Sequence, residues 1–259
     1  MATDLHRPVH PRTHRTVRAP HSVHVDGLVR SFDGRRVIDR LRLDIEHGEF
    51  VALLGRAGCG KSALLRILAG LDRDIEGTVL VPRRRAVTSP SPRPTPWTRV
   101  WRDVLLGLPG EPDRALAERV LDEAGLGHRT TARSRTLSDG EVQRAFLARA
   151  LARDPDLLLL DDPFAALDAP TRIAARQVVG EVWRRRGCAV LLVTDDVEEA
   201  VSLADRVLVM EGGVIAHEQR IGLDRPRDLT EPRFAGLRAG LLRRLDGDLA
   251  AAREDLRPR

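Results

Sequence analysis

The segment Gly55-Arg56-Ala57-Gly58-Cys59-Gly60-Lys61-Ser62 fits the pattern G-x4-G-K-[ST] at every fixed position. Its flanks constrain the fold as strongly as the motif does. The apolar run Phe50–Leu54 before it reads as a buried strand. Leu64, Leu65, Ile67 and Leu68 after it recur at helical spacing, and Gly70 follows. A glycine-rich loop between a buried strand and a helix lets the backbone curl until several N–H groups converge. The helix start adds the positive end of its dipole, so the loop suits phosphate oxygens. Lys61 is placed to neutralise β- and γ-phosphates, and Ser62 offers a hydroxyl to Mg2+. Of 43 basic residues, Lys61 is the only lysine. A general bias toward arginine explains the others; at position 61 a compact ammonium does what a planar guanidinium cannot.

The rest of the chain alternates strands and helices. Val23–Val29 has strand periodicity, Asp33-Gly34 reads as a turn, and Thr78–Val81 reads as a strand. Residues 82–112, rich in Pro and Arg, read as a loop, and Arg114–Ala124 as a helix. Ser138 and Glu141 have capping-box spacing and open a helix to about Arg153. Leu157–Leu160 and Val190–Val193 are apolar strands that end in Asp161-Asp162 and Thr194-Asp195-Asp196. Val207–Met210 and Val214–His217 form a hairpin, and Glu198 and Glu199 read as a solvated helix face. This order predicts an α/β fold with a largely parallel core sheet.

The 259 residues suffice for one large domain. A net charge of +5 on interspersed acids and bases describes a solvated surface, so no nucleic-acid partner is expected. Two cysteines, Cys59 and Cys188, with no CxxC, fit a reducing compartment, and Cys59 reads as a small loop residue. No apolar run approaches the length of a membrane span. Residues 1–20, rich in His and Arg, read as a disordered basic tail with neither a signal peptide nor a metal site.

Further motifs decide among phosphate-loop families. The segment Leu137 to Arg144, continuing to Leu151, resembles the signature and following helix of ATP-binding-cassette (ABC) proteins. Leu157 to Phe164 resembles that family's second magnesium motif, and Ala165 to Asp168 its D-loop. The resemblance covers about residues 23–217. It implies a P-loop NTPase of the ABC type, with a mixed core sheet and a small helical subdomain near 88–153. The nucleotide-binding domain would span 21–220, and a helical tail 221–259. It implies ATP and Mg2+ as cofactors. Phe32 would stack on adenine. Gly55, Arg56, Ala57, Gly58, Cys59, Gly60, Lys61, Ser62 and Ala63 would hold the phosphates. Ser138, Asp139, Gly140 and Glu141 would serve the ATP of a facing subunit. Ser62 and Asp161 would serve the metal, and Asp162 and Asp195 stand at the catalytic positions. The implied partners are a second ABC subunit in a homodimer, two membrane permease subunits and an extracytoplasmic substrate-binding protein, with this chain peripheral on the cytoplasmic face of the membrane. Pro96-Trp97, Val100–Leu108, Val193–Asp205 and the tail resemble the nitrate, taurine and sulfonate importer branch. Within it they are most similar to aliphatic-sulfonate subunits. The segment after Pro90 would dock on the permease, with Trp97 and Trp101 in packing or that contact. ABC proteins that act on ribosomes or DNA usually carry two cassettes or a long coiled-coil insert, and this chain has neither.

Several positions depart from the family pattern. Pro90 stands where the family has glutamine and offers no side-chain donor or acceptor. Asp162 replaces glutamate, one methylene shorter, and ~1 Å of misplacement can cost ~100-fold in rate. Asp195 replaces the switch histidine. A carboxylate ~4 Å from a γ-phosphate, at an effective dielectric of ~20, costs about 4 kcal/mol. Ala63 and Asp139 are milder changes from threonine and glycine. Binding features persist while hydrolysis features are altered. The expectation is an ABC subunit that binds ATP and hydrolyses it slowly; the rival is a shifted geometry that still turns over.

Overall fold

The computed structural model describes residues 21–90 and 92–255, with side chains as far as residue 245. The basic tail read at 1–20 lies outside these. Strands β1 (His21–Phe32) and β2 (Arg35–Glu46) form an antiparallel hairpin around Asp33-Gly34. With β4 (Glu76–Leu80) on the far side of β1, they make a three-stranded antiparallel sheet in the order β2-β1-β4. Val23 and Val25 on β1, and Leu41, Leu43 and Ile45 on β2, face the core at period-two spacing, and Ile38 joins them across the left-handed Arg40.

The second sheet has six strands: β3 (Phe50–Leu54), β5 (Arg85–Thr88), β6 (Leu157–Asp161), β7 (Ala189–Val193), β8 (Arg206–Glu211) and β9 (Val214–Arg220). Their order is β5-β6-β7-β3-β8-β9, all parallel except β9, which returns antiparallel beside β8. β3 and β7 are buried along their whole length, as expected of parallel strands covered on both faces. Val51, Leu53, Leu157, Leu159, Leu191 and Val193 meet helix α1 (Lys61–Leu68) and the antiparallel sheet. Ala52, Leu54, Leu158, Leu160, Val190 and Leu192 meet the opposite helical layer.

That layer contains α2 (Val100–Val104), α3 (Arg114–Glu123), α4 (Asp139–Leu151), α5 (Ala169–Arg186), α6 (Val197–Leu203) and α7 (Pro232–Asp255). Helices α2, α3 and α4 pack on one another. The capping box at α4 is complete: Glu141 N–H donates to the Ser138 hydroxyl, and Ser138 N–H donates to the Glu141 carboxylate.

The structure corrects three readings. Residues 82–112 are not a continuous loop, since they contain β5 and α2. β5 is an edge strand with only Ala86 and Thr88 turned inward, so its apolar signal is weak. α2 is one short turn held by Val100 and Val104. Glu199 is not on a solvated face, being 2% exposed. Helix α4 ends at Leu151 with Ala152 as its cap, within two residues of the end read from the sequence. In the tail, the helix starts only at Pro232, after an irregular segment.

Candidate functional site

Three adjacent parallel strands, β6, β7 and β3, deliver the candidate residues to one edge of the sheet. Asp161 ends β6 opposite Val193 of β7, and Leu53 of β3 lies opposite the same Val193. Beyond the strand ends, Asp162 N–H donates to the Val193 carbonyl at 2.9 Å and Thr194 N–H to that of Leu53 at 3.2 Å. The loop Gly55–Gly60, the pair Asp161-Asp162 and the segment Thr194–Asp196 therefore leave the sheet side by side. In open α/β sheets, ligands bind at this carboxyl edge.

The loop is shaped by what its glycines touch. Gly60 caps α1 with φ of 114°, and no side chain caps that helix start. A Cβ at Gly60 would lie 2.8 Å from the Val37 carbonyl and 2.7 Å from Met210 Cε, so only glycine fits. The β2 strand that supplies Val37 also returns from the hairpin carrying Phe32, which is 44% exposed. The Arg30 guanidinium lies 4.1 Å from the centre of the Phe32 ring.

Lys61 Nζ turns back into the loop and donates to the carbonyls of Gly55 and of Arg56, the latter at 2.9 Å. It also lies 3.9 Å from Cys59 Sγ. Its charge reaches both aspartates. Burial raises the Asp161 carboxyl above its ordinary value, and Lys61 opposes the rise. Asp162 is raised by burial, then by the negative charges of Asp195 and Asp161, with Lys61 and Arg172 opposing. Asp162 also holds φ of 44°, a left-handed conformation that aspartate tolerates. Asp161, Asp162, Lys61 and Asp195 thus form one electrostatic unit. The Arg56 side chain instead donates to the Leu245 carbonyl on α7.

The signature residues stand apart. Ser138 and Asp139 are exposed, and Gly140 is buried where a Cβ would fall 2.3 Å from Thr171 Cγ2 on α5. Glu141 is occupied by the capping box and by Arg129, 3.1 Å away. Among the described residues, no hydrogen bond or ion pair joins 138–141 to 55–63. Asp168 caps α5 by accepting from Thr171 N–H at 2.8 Å. Hydrogen bonds from Thr171 hold that carboxyl below its ordinary value. At Pro90, the backbone carbonyl accepts from Gln143 of α4 at 3.3 Å.

A second cluster escaped the sequence reading. Arg176 of α5 is 7% exposed and contacts Glu198 at 3.0 Å and Asp196 and Glu199 at 3.3 Å each. Glu199 also accepts from the Thr194 hydroxyl at 2.7 Å. One turn earlier, Arg172 donates to the Leu167 carbonyl at 2.9 Å and approaches Asp196 and Glu199 at 3.9 and 3.8 Å. The two arginines thereby tie the segment carrying Asp195 to α5. Arginines four apart, facing an acidic run, were the available signal.

Comparison with known proteins fits this geometry. Residues 38–165 match the family model described as ABC transporter. The chain is 68% identical over 257 residues to the aliphatic sulfonates import ATP-binding protein SsuB 1 of Streptomyces avermitilis, covering 97% of this chain and 99% of that one. The chain belongs to the ABC transporter family. By family it is an ABC-type ATPase, and ATP is its nucleotide. A second relative, SsuB 2 of Paracoccus denitrificans, is 63% identical over 242 residues, 93% of this chain and 96% of its own. Among solved structures, this ABC protein resembles a dimeric ATP-binding cassette in a post-hydrolysis state with ADP and Pi. Identity is 25%, the TM-score is 0.66, and 78% of this chain and all of that one are covered. An ABC subunit from Clostridium perfringens shares the fold at TM-score 0.73 and 21% identity, over 90% of this chain and all of its own. No described helix of this ABC protein is long and apolar enough to cross a membrane.

Proposed function

We propose that this protein is the ATP-binding subunit of an importer for aliphatic sulfonates or related small anions. The observation that carries the substrate class is the near full-length, 68% identity to a relative named for that import. On this reading, Gly55–Ala63 holds the triphosphate and Phe32 stacks on adenine. Ser138–Gly140 faces the ATP of a second copy, set head to tail. Residues 21–220 act as the nucleotide-binding domain, with 88–153, including α2–α4, as a helical subdomain. The segment after Pro90, with Trp97 82% exposed, meets the permease. The assembly comprises two ATP-binding subunits, two permease subunits and an extracytoplasmic binding protein. It places this chain peripherally at the cytoplasmic face.

The residues present suit Mg2+. Ser62 and Asp161 offer hard oxygen ligands, and Asp161 sits half-buried at a strand end within the field of Lys61. Mg2+ takes one or two protein ligands beside phosphate oxygens, so no dense carboxylate cage is needed. Bound there, it would neutralise phosphate charge. Lys61 orients the β- and γ-phosphates, and Asp162 is placed to polarise the attacking water. ATP would favour the closed dimer through contacts made only in that state, and its loss would release it.

The crowding of Asp161, Asp162 and Asp195 favours slow turnover as a second reading. Three carboxylates beside a triphosphate disfavour charge build-up, which a switch histidine would relieve.

The import reading is tested by growth. A bacterium lacking the ATP-binding subunit of its own sulfonate importer should regain growth on an alkanesulfonate as sole sulfur source when given this protein. The Lys61→Ala variant should not restore it. Failure to grow, with the protein folded, bound to ATP, assembled with the permease and hydrolysing ATP there, would reject the import reading; failure without hydrolysis would point to the slow-turnover reading instead.

A further inference from the structure

Helix α7 lies beyond the segment that the family model matches. It is anchored by Phe234 and Leu241, exposed by 1% and 2%, with Leu237, Leu242 and Leu245 against the same core cluster. These apolar contacts explain why the helix docks. They do not explain the polar contact near its middle. There Arg56 Nε and Nη2 both donate to the Leu245 carbonyl, at 3.1 and 2.8 Å, across 189 residues of sequence. The Arg56 main chain is part of the phosphate loop. Its carbonyl accepts from Lys61 Nζ at 2.9 Å and from Cys59 N–H at 3.3 Å. One residue therefore joins the C-terminal helix to the backbone that holds the only lysine.

We propose that α7 is a strap coupled to nucleotide occupancy, and that Arg56 is the positioning residue that couples them, its side chain tied to α7 rather than serving as a phosphate ligand. This rests on the reading that Gly55–Ala63 binds ATP. The docked strap fixes the loop in the curl that phosphate requires, so strap and nucleotide favour one another. A guanidinium whose two nitrogens share one carbonyl is held in a fixed orientation by charge-assisted hydrogen bonds. Linkage makes the effect reciprocal: if the strap tightens ATP binding by some factor, ATP stabilises the docked strap by the same factor.

The test is amide hydrogen exchange of the full chain with and without saturating Mg-ATP, beside ATP affinity. In the wild type, ATP should slow exchange across 237–245 by roughly fivefold, the lower end of ordinary coupling. Arg56→Ala should abolish that response and bind ATP about fivefold more weakly, and Arg56→Lys, which keeps one charged donor nitrogen, should recover part of both. A purely structural Arg56 would change stability without making α7 answer to ATP. The proposal is overturned if ATP protects 55–62 in the wild type while 237–245 stays unchanged. It is also overturned if Arg56→Ala loses affinity although α7 never responded, which would make Arg56 a phosphate ligand. Absence of ATP protection at 55–62 itself would remove the nucleotide-binding reading and the coupling together. Should Arg56→Ala fail to fold, the wild-type exchange response alone decides.

Discussion

Substituting Arg176 by glutamine should unfold this protein about 10 °C earlier. The guanidinium is nearly buried and meets Glu198 at 3.0 Å and Asp196 and Glu199 at 3.3 Å. Glu198 and Asp196 have about a third of their side-chain surface in solvent, so their shares are small. Glu199 is different, with 3% side-chain exposure. In the variant it would keep the Thr194 hydroxyl and an Arg172 nitrogen 3.8 Å away. Leaving one member of a buried pair wholly uncompensated costs about 3–5 kcal/mol, and the contacts that Glu199 keeps hold the loss to the lower end, about 3 kcal/mol. At roughly 2–4 °C per kcal/mol for a domain of this size, the shift is on the order of 10 °C. Thermal unfolding followed by circular dichroism measures it. The cost also has a pH signature. Burial already lifts the Glu199 carboxyl above its ordinary value. A raised folded pKa means that the group's favourable contribution is complete below its unfolded pKa and is lost as pH rises through the folded one. Without Arg176 that pKa climbs further, so the deficit should be small near pH ~5 and largest near pH ~8. Adding Glu199→Gln should recover much of the loss at the higher pH. A shift under about 2 °C, or a double variant no better than the single, would refute the reasoning.

Two other outcomes follow from the site. The combined Pro90→Gln, Asp162→Glu and Asp195→His variant should raise single-turnover ATP hydrolysis ~100-fold at similar ATP affinity; equal rates would show that Asp162 and its surroundings suffice. Gly140→Val should weaken ATP-dependent dimerisation about tenfold or more by forcing α4 away from Thr171, as sedimentation would show; an unchanged dimer would mean the contact relaxes freely.

The strand–loop–helix around Lys61 was legible because its rules are local: glycine geometry, helical spacing and a strand of uniform apolarity. The capping box at Ser138 and Glu141 was legible for the same reason. Asp161 could be placed because an all-leucine run ends at it. What escaped depends on distant partners. Glu199 reads as surface until Arg176, 23 residues earlier, is known to cover it. Arg56 reads as one more loop residue, since nothing local reveals a carbonyl 189 positions away. β5 was hidden because edge position relaxes the demand for apolar side chains, and two inward residues of four make no pattern.

The side-by-side exit of β6, β7 and β3 has a further consequence. Neighbouring strands are held ~4.8 Å apart by backbone hydrogen bonds, so the sheet edge works as a ruler about 10 Å long across three strands. The ruler is graduated by peptide groups and cannot shorten when a side chain does. An aspartate in place of a glutamate, or a carboxylate in place of an imidazole, must be accommodated by water, by the nucleotide or by the facing subunit, because the scaffold beneath will not slide to meet it.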